Sequence, residues 1–235
     1  MSDSTTSGYS FGDNLTYMLK DAKWASKVLV GALLGLVPIL NFVTGGYALK
    51  VINNIREDQE PVLPAWGGGF GKYWTEGLML FVIGLIYSIP LWLIGMISGV
   101  PLAIMGASAD QNGPSDALAA LFAGTSCIIG LIAFVYLILL VFWLQGAIVN
   151  YAVKGNFGAA FAFGEILTIV KKNVNRMVLT VVAVVVASFV VGLLSTVLAF
   201  IPCCGWIAAI VITFVTSFYI LLVMAYTCGF IAKDV

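Results

Sequence analysis

The stretch "KVLVGALLGLVPILNFVTGGYALK", residues 27–50, decides the fold, because a lysine stands at each end of its apolar run. A single helix over 28–49 would cross a bilayer once and place the two lysines on opposite sides. A short hairpin that turns within 37–42 would keep both lysines on one side. Pro38 breaks a helix and Asn41 can cap the next one, so the sequence favours the hairpin.

The composition is that of an integral membrane protein. Hydrophobic residues make up 61% of the 235 residues and charged residues 9%, whereas a soluble domain carries about 25% charged residues. Eleven basic residues balance eleven acidic ones, so nothing indicates a nucleic-acid partner. The chain contains no histidine, which removes the commonest haem and zinc ligand, and we expect no metal and no cofactor.

Apolar runs and the placement of lysine and arginine predict six membrane segments in an all-α, polytopic transmembrane helical bundle. A bilayer core needs about 20 apolar residues per helix. The runs are 25–37, 39–55, 77–105, 126–151, 177–201 and 206–231. Neither 106–125 nor the turn "IPCCGW" (201–206) contains lysine or arginine.

Four basic clusters flank the other ends of these runs. The cytoplasmic loops of membrane proteins carry an excess of lysine and arginine. We therefore predict three hairpins with both termini cytoplasmic, in the inner membrane of a prokaryote. The alternative with one helix over 28–49 gives five segments and leaves the first three lysines outside.

An internal repeat supports the hairpins. The segments "YSFGDNLTYMLK" (9–20) and "FAFGEILTIVKK" (161–172) share Phe, Gly, an acid, Leu, Thr and Lys in register, and "VPILNF" resembles "IPCCGW" downstream. The predicted pseudo-repeats are 9–56 and 161–233. Each would consist of an amphipathic lead, a helix, a proline turn and a second helix.

Three apolar stripes with helical spacing predict leads that lie in the cytoplasmic interface. The stripes are Phe11, Leu15, Met18, Leu19 and Ala22; then Trp66, Phe70, Tyr73 and Trp74; and finally Phe163, Ile166, Leu167, Val170 and Val174. The predicted interfacial anchors are Trp24, Trp66, Trp74, Lys72 and Glu76. Lys72 and Glu76 are one helical turn apart, and we expect an ion pair between them.

No motif in the chain indicates catalysis. The glycine-rich "GGGFGKY" (67–73) does not fit a phosphate-binding loop, because position 66 is Trp and Lys72 precedes Tyr. The carboxylates at 57, 58 and 60 lie in a predicted solvated turn without histidine or metal-ligand partners. We therefore predict that the chain is not an enzyme and has no catalytic, cofactor-binding or metal-binding residue.

The middles of the predicted spans lack Asp, Glu, Lys and Arg, which disfavours ion-coupled transport. Asn41, Gln145 and Asn150 are polar candidates for packing by interhelical hydrogen bonds or for a polar conduit. Residues 1–10 carry no secretory pattern, and we expect a retained, poorly ordered tail. Residues 11–235 are predicted to form a single transmembrane domain.

Several segments carry a family resemblance. They are "DAKWASKVLVGALLGLVPILNFVTGGYALKVINNIREDQEPVLPAW" (21–66), Glu76-Gly77, "YSIP" ending at Pro90, and "NFGAAFAFGEI" (156–166). The chain resembles an uncharacterised prokaryotic integral membrane family, the domain-of-unknown-function family 4013. That family is distantly similar to the membrane region of glycerophosphodiester phosphodiesterases. The resemblance implies an all-helical inner-membrane module without an assigned reaction, and phosphodiesterase activity is not expected of this chain.

Two functions follow as predictions from the residues. The first is a non-catalytic scaffold or accessory subunit of a membrane assembly, whose partners are membrane lipids, other membrane subunits or a second copy of itself. The alternative is a passive channel or carrier for a lipidic or small neutral solute, lined by Gln145, Asn150 and nearby Ser and Thr side chains.

Overall fold

The computed structural model describes residues 10–108, 116–201 and 204–235, and helices dominate this part of the chain. The helices are α1 (Phe11–Thr16), α2 (Trp24–Leu36), α3 (Asn41–Arg56), α4 (Phe70–Ser108), α5 (Asp116–Lys154), α6 (Phe163–Ala199) and α7 (Cys204–Lys233). Short 3-10 segments at Tyr17–Lys20, Trp66–Gly68 and Phe157–Phe161 precede α2, α4 and α6. The described residues contain no strand, so the all-α prediction is confirmed. The predicted tail falls on residues 1–9, outside the described chain, and on Ser10, which caps α1.

Four helices are long and apolar enough to cross a membrane. Their described portions are Phe70–Ile97, Gly124–Lys154, Phe163–Ala199 and Gly205–Lys233, which contain 28 to 37 residues. At about 1.5 Å of rise per residue they exceed a hydrocarbon core of about 30 Å. The apolar helix α2 has 13 residues and extends about 20 Å. By length and composition, the chain is therefore an α-helical membrane protein with four candidate spanning helices.

Two helices, and not one, occupy the stretch between the first and second basic clusters. Val37 has an extended backbone (φ −99°, ψ 116°), as expected immediately before a proline, and Pro38 cannot continue α2. Asn41 is the first residue of α3 and not its cap, since Leu40 takes the cap position without a side-chain hydrogen bond. The Thr44 hydroxyl donates to the Asn41 carbonyl at 2.6 Å and lies 3.2 Å from its side-chain oxygen.

The predicted first lead is wrong as a single amphipathic helix. The α-helix ends at Thr16, and the buried face consists of Asn14, Tyr17 and Met18, whereas Leu19 from the predicted stripe is 51% exposed. The physical reason is a set of polar contacts with α7 that the apolar pattern does not register. The segment packs on α7 through these contacts.

The other two predicted leads do not form separate helices either. The helix α6 runs without a break from Phe163 to Ala199, and α4 begins at Phe70 and continues to Ser108. No proline lies between the predicted lead and the predicted span in either helix, so nothing ends the first turns of helix there.

The chain divides into two compact units, Met1–Val82 with Gln145–Val235 (unit 1) and Ile83–Leu144 (unit 2). The core of unit 1 lies where α7 packs against α2, α3 and α6. Its large fully buried side chains include Tyr47, Ile166, Met177, Leu222 and Ile231. Both divisions between the units fall inside helices, and the single-domain prediction for 11–235 stays a prediction.

In unit 1, α3 and α4 cross with their backbones in direct contact. A Cβ atom added at Gly77 would lie 1.6 Å from the Phe42 carbonyl oxygen. A Cβ atom added at Gly46 would lie 1.9 Å from the Tyr73 carbonyl oxygen. Only glycine, which has no side chain, permits this approach at both positions.

Within unit 2, α4 and α5 are joined by hydrogen bonds among aromatic side chains. The Tyr136 hydroxyl donates to the Tyr87 carbonyl at 2.8 Å, and the Trp143 indole N–H donates to the Tyr87 hydroxyl at 3.2 Å. Many apolar side chains of this unit are exposed, including Trp92 and Leu131 at 70% and 64%. A lipid environment would cover such surfaces without cost.

Candidate functional site

All eleven basic residues belong to unit 1, and most of them lie where α2, α4 and α6 begin and where α3, α5 and α7 end. Four links join these helices, three of them between helix ends and one from Arg176, the fourteenth residue of α6, to the end of α7. They are Arg56 Nη1 to the Ala152 carbonyl at 3.1 Å, Lys154 Nζ to Glu165 Oε1 at 2.6 Å, Arg176 Nη1 to Asp234 Oδ2 at 2.5 Å, and an ion pair of Lys233 with Asp58. We call the region defined by these residues the polar end. It is the candidate functional site.

A partly buried ion pair lies at the entry to α2. Lys27 Nζ donates at 2.6 Å to Asp21 Oδ2 and at 2.6 Å to the Leu63 carbonyl, and the side chains of Lys27 and Asp21 are only 12% and 13% exposed. Burial would raise the pKa of the Asp21 carboxyl. Hydrogen bonds from the Lys27 ammonium and the Lys23 backbone N–H outweigh burial and hold this pKa below its usual value.

This ion pair makes the stability of the folded protein depend on pH in the acidic range. Because the pKa of Asp21 is lower in the folded state, its contribution is complete above the unfolded pKa of about 3.9 and is lost as the pH falls through the folded pKa. We expect the Tm of the detergent-solubilised protein to fall between pH 5 and pH 3, and to fall less in Asp21→Asn. An equal fall in both proteins would contradict this role.

Asp13→Asn is the matched control, and its fall in Tm between pH 5 and pH 3 should equal that of the wild type. It removes an exposed pair with Lys20 at 3.0 Å, and exposed pairs contribute about 0–1 kcal/mol.

Several clefts open at the polar end, and two of them differ in character. The first has a volume of about 330 Å³, an aromatic wall of Tyr17, Tyr226 and Phe230, and a rim that includes Lys20 and Asp58. The second, of about 450 Å³, is more polar and more basic. We call this second cleft the basic cleft. It is lined by Lys50, Asn53, Arg56, Glu57, Gly68, Gly69, Lys72, Tyr73, Glu76, Ala152, Val153, Lys154 and Gly155.

Among the described side chains, no group of three or more His, Cys, Asp or Glu residues could hold a metal ion. Two of the three carboxylates that the sequence singled out are held in ion pairs or hydrogen bonds. Glu57 accepts from Arg56 and Gln59 at 3.0 and 2.8 Å, and Asp58 pairs with Lys233. The prediction that the chain is not an enzyme stays a prediction.

The three candidate conduit residues lie in different surroundings. Asn150 is buried at the polar end, where its amide donates at 2.8 Å to both the Ala159 carbonyl and Glu165 Oε2. Asn41 is exposed and lies fifteen residues before Arg56 on α3, a rise of about 22 Å. The structure therefore does not bring Asn41 and Asn150 together.

Gln145 is the third conduit candidate and an unusual buried residue. Its side chain is 1% exposed, and neither amide atom has a hydrogen-bond partner in the described chain. Leaving a buried amide without partners costs roughly 1–3 kcal/mol per group. A water molecule or a bound solute would satisfy both atoms.

The predicted anchors Trp66 and Trp74 make protein contacts, Trp66 at the start of α2 and Trp74 at the α2–α3 turn. The Trp66 indole donates to the Lys27 carbonyl at 3.0 Å, and its ring stacks on Tyr47 at 4.1 Å. The Trp74 indole donates to the Ile39 carbonyl at 3.1 Å, and Trp24 is 38% exposed. Their role at a lipid interface stays a prediction.

The predicted ion pair on α4 forms. Lys72 Nζ lies 3.6 Å from Glu76 Oε1, one helical turn away, and the Lys72 side chain is 73% exposed. The sequence pattern was sufficient here because an i,i+4 pair depends only on helical geometry.

Sequence reasoning missed a buried polar chain that joins three helices. The Asn14 amide donates to the Thr227 hydroxyl at 3.0 Å, and the Thr227 and Thr180 hydroxyls lie 2.7 Å apart. All three side chains are fully buried. Asn14 is the residue that could have indicated this chain from the sequence. It stands beside the apolar positions of a helix, and an amide that is buried there needs a hydrogen-bond partner.

The match with protein families covers most of the helical framework. Residues 29–200, from α2 through α6, match the family described as "Protein of unknown function (DUF4013)". The chain belongs to this family. This agrees with the resemblance found in the sequence, and the family's description assigns no activity. No curated protein and no solved structure matches the chain.

Proposed function

We propose that this family member is a non-catalytic scaffold or accessory subunit of a membrane assembly. It would have six membrane segments in three hairpins, α2–α3, α4–α5 and α6–α7, with the polar end facing the cytoplasm of a prokaryotic cell. The observation that carries this proposal is the gathering of basic residues where alternate helices begin and end. The positive-inside rule puts such an end in the cytoplasm.

The apolar faces support a role in assembly. Along α6 the side chains of Val182, Val185, Phe189 and Leu193 are 54%, 60%, 66% and 55% exposed. They form a broad surface available to lipid or to another membrane helix. The polar end, by contrast, uses its carboxylates in ion pairs that join helix ends, which is a structural use.

Topology is tested by cysteine labelling in intact cells, after the four native cysteines are replaced by alanine. We expect a membrane-impermeant maleimide to label Lys23→Cys and Lys171→Cys from the same side, and only after the cytoplasm is opened. Ile39→Cys should stay unlabelled in intact and in opened cells, because α2 extends only about 20 Å and would leave the α2–α3 turn within the hydrocarbon core. Labelling of Lys23→Cys and Lys171→Cys from opposite sides would refute the paired hairpins.

The assembly role is tested by affinity purification in a mild detergent. We expect a stoichiometric partner or a homo-oligomer, and substitution of the exposed α6 residues Val185 and Phe189 by alanine should weaken its recovery. Alanine at Trp92, an exposed residue of unit 2, is the control. A monomer without partners would contradict the scaffold.

The alternative function is a passive channel or carrier for a lipidic or small neutral solute. Gln145 favours it, because a buried amide without partners has unused donors and acceptors for a passing solute. Flux across proteoliposomes should then fall in Gln145→Leu and in Asn150→Leu. Absence of flux for every solute tested would reject this alternative.

A further inference from the structure

The basic cleft carries more positive charge than its own walls neutralise. Four cations line it, Lys50, Arg56, Lys72 and Lys154, against two carboxylates, Glu57 and Glu76, which leaves a net charge of +2 (4 − 2). A volume of about 450 Å³ is ample for a small ligand, since ligand pockets commonly enclose about 300–1,000 Å³.

The cations differ in how strongly the protein engages them. Lys50 has no hydrogen bond or ion pair in the described chain, and Lys72 meets only Glu76, at 3.6 Å. Lys154 is the more committed, since its ammonium donates at 2.6 Å to both oxygens of Glu165, outside the cleft lining. Lys50 and Lys72 therefore have unused donors for an anion.

Arg56 lines the cleft and is held in place by hydrogen bonds. Its Nη1 donates to the carbonyls of Ala152 and Val153 at 3.1 and 3.4 Å, and its Nη2 donates to Glu57 Oε1 at 3.0 Å. These bonds fix the guanidinium between the end of α3 and the end of α5. A positioned guanidinium beside mobile ammonium groups is a common arrangement for binding phosphate.

Two further features of the walls suit an anion. Gly68 and Gly69 leave one wall without side chains, and a Cβ atom at Gly68 would meet no atom within 4 Å. The Asn53 side chain also lines the cleft, and its buried amide oxygen Oδ1 has no hydrogen-bond partner in the described chain. Its amide N–H₂ group is a neutral donor for a phosphate oxygen.

We propose that the basic cleft binds a phosphate-bearing anion, either the headgroup of an anionic phospholipid or a free phosphate compound. The cleft lies at the polar end, between the ends of helices. In other membrane proteins, basic pockets between helices on the cytoplasmic side bind the headgroups of anionic lipids. The lipid source rests on the proposed orientation of the polar end at the membrane surface. The free phosphate source does not depend on that orientation.

The test is a binding titration of the purified, delipidated full chain in a neutral detergent. The probes are phosphatidylglycerol, phosphatidylcholine and inorganic phosphate, followed by native mass spectrometry and by tryptophan fluorescence. Phosphatidylglycerol bound more tightly than phosphatidylcholine supports the lipid headgroup. Inorganic phosphate bound as tightly as phosphatidylglycerol supports the free compound, and no preference for either anion over phosphatidylcholine overturns the site.

Charge variants distinguish anion binding in the basic cleft from nonspecific electrostatic attraction to exposed lysines. Lys50→Gln/Lys72→Gln should weaken anion binding by at least about tenfold, because charge-assisted hydrogen bonds are lost. Lys23→Gln/Lys171→Gln removes the same charge at exposed positions outside the cleft, and its affinity should stay within about twofold of the wild type. Equal weakening in both double variants would overturn the assignment.

Steric variants provide a second comparison that leaves charge unchanged. Gly67 and Gly68 are neighbours, and a Cβ atom at either would meet nothing within 4 Å, but only Gly68 lines the cleft. Gly68→Leu should reduce anion binding about tenfold by filling the cleft, whereas Gly67→Leu should not. Retained binding in Gly68→Leu, with an unchanged Tm, would show that the anion binds elsewhere.

Discussion

Gly77→Ala is expected to destabilise the protein by about 3 kcal/mol. The added methyl carbon would lie 1.6 Å from the Phe42 carbonyl oxygen, a backbone atom that cannot rotate away. The helices α3 and α4 must separate to accommodate it, which loosens the packing of Tyr47 against Tyr73. Thermal unfolding in detergent should show a Tm lower by roughly 6–12 °C.

Gly84→Ala, on the same helix, is the matched control. A Cβ atom there would meet nothing within 4 Å, and alanine favours a helix over glycine by about 1 kcal/mol. The Tm of Gly84→Ala should equal or exceed that of the wild type. If the two alanine variants melt together, the close crossing of α3 and α4 is wrong.

Trp66→Ala is expected to cost about 2–3 kcal/mol of unfolding free energy. The substitution removes the ring that stacks on Tyr47 at 4.1 Å and packs at 5.9 Å from Phe218. It also removes the indole donor to the Lys27 carbonyl. Urea or thermal unfolding in detergent would measure the loss.

Two variants test whether Trp66 stabilises the protein or serves only as a lipid anchor. Trp66→Phe keeps a ring but loses the indole hydrogen bond, so its cost should be about 1 kcal/mol. Trp92→Ala removes a side chain that is 70% exposed and should cost less than about 0.5 kcal/mol. A Tm for Trp66→Ala no lower than that for Trp92→Ala would mean that Trp66 acts solely at the interface.

Much of the helical framework could be predicted, because it depends on local properties of the chain. Long apolar runs without charge predict the four candidate spans, and Pro38 predicts the break between α2 and α3. The leads were mispredicted because a helical stripe does not tell which face meets protein. The buried residues of α6 are Ile166, Ile169, Asn173, Met177 and Thr180, and only Ile166 belongs to the predicted stripe. Phe163 and Leu167 from that stripe are exposed.

The candidate site was less predictable, because it is built from residues far apart in the chain. Arg56 donates to Ala152, 96 residues away, and the basic cleft combines positions near 50, 70 and 154. The spacing of the glycine-rich loop does not fit a nucleotide-binding motif, and that exclusion stays a prediction. The spacing of residues within one segment gives no information about the cations that other helices contribute to the same cleft.

The bond between Asn14 and Thr227 has a consequence for the order of events during synthesis. These residues are separated by 213 positions, so a ribosome adding about 5–20 residues per second makes the partner of Asn14 roughly 10–40 s later. The helix α1 is therefore synthesised early, and Asn14 can form its native hydrogen bond only when α7 is complete. In a nascent chain stalled before α7, the segment around Asn14 should be accessible to a protease or a chaperone. After release of the finished chain, this segment should no longer be accessible.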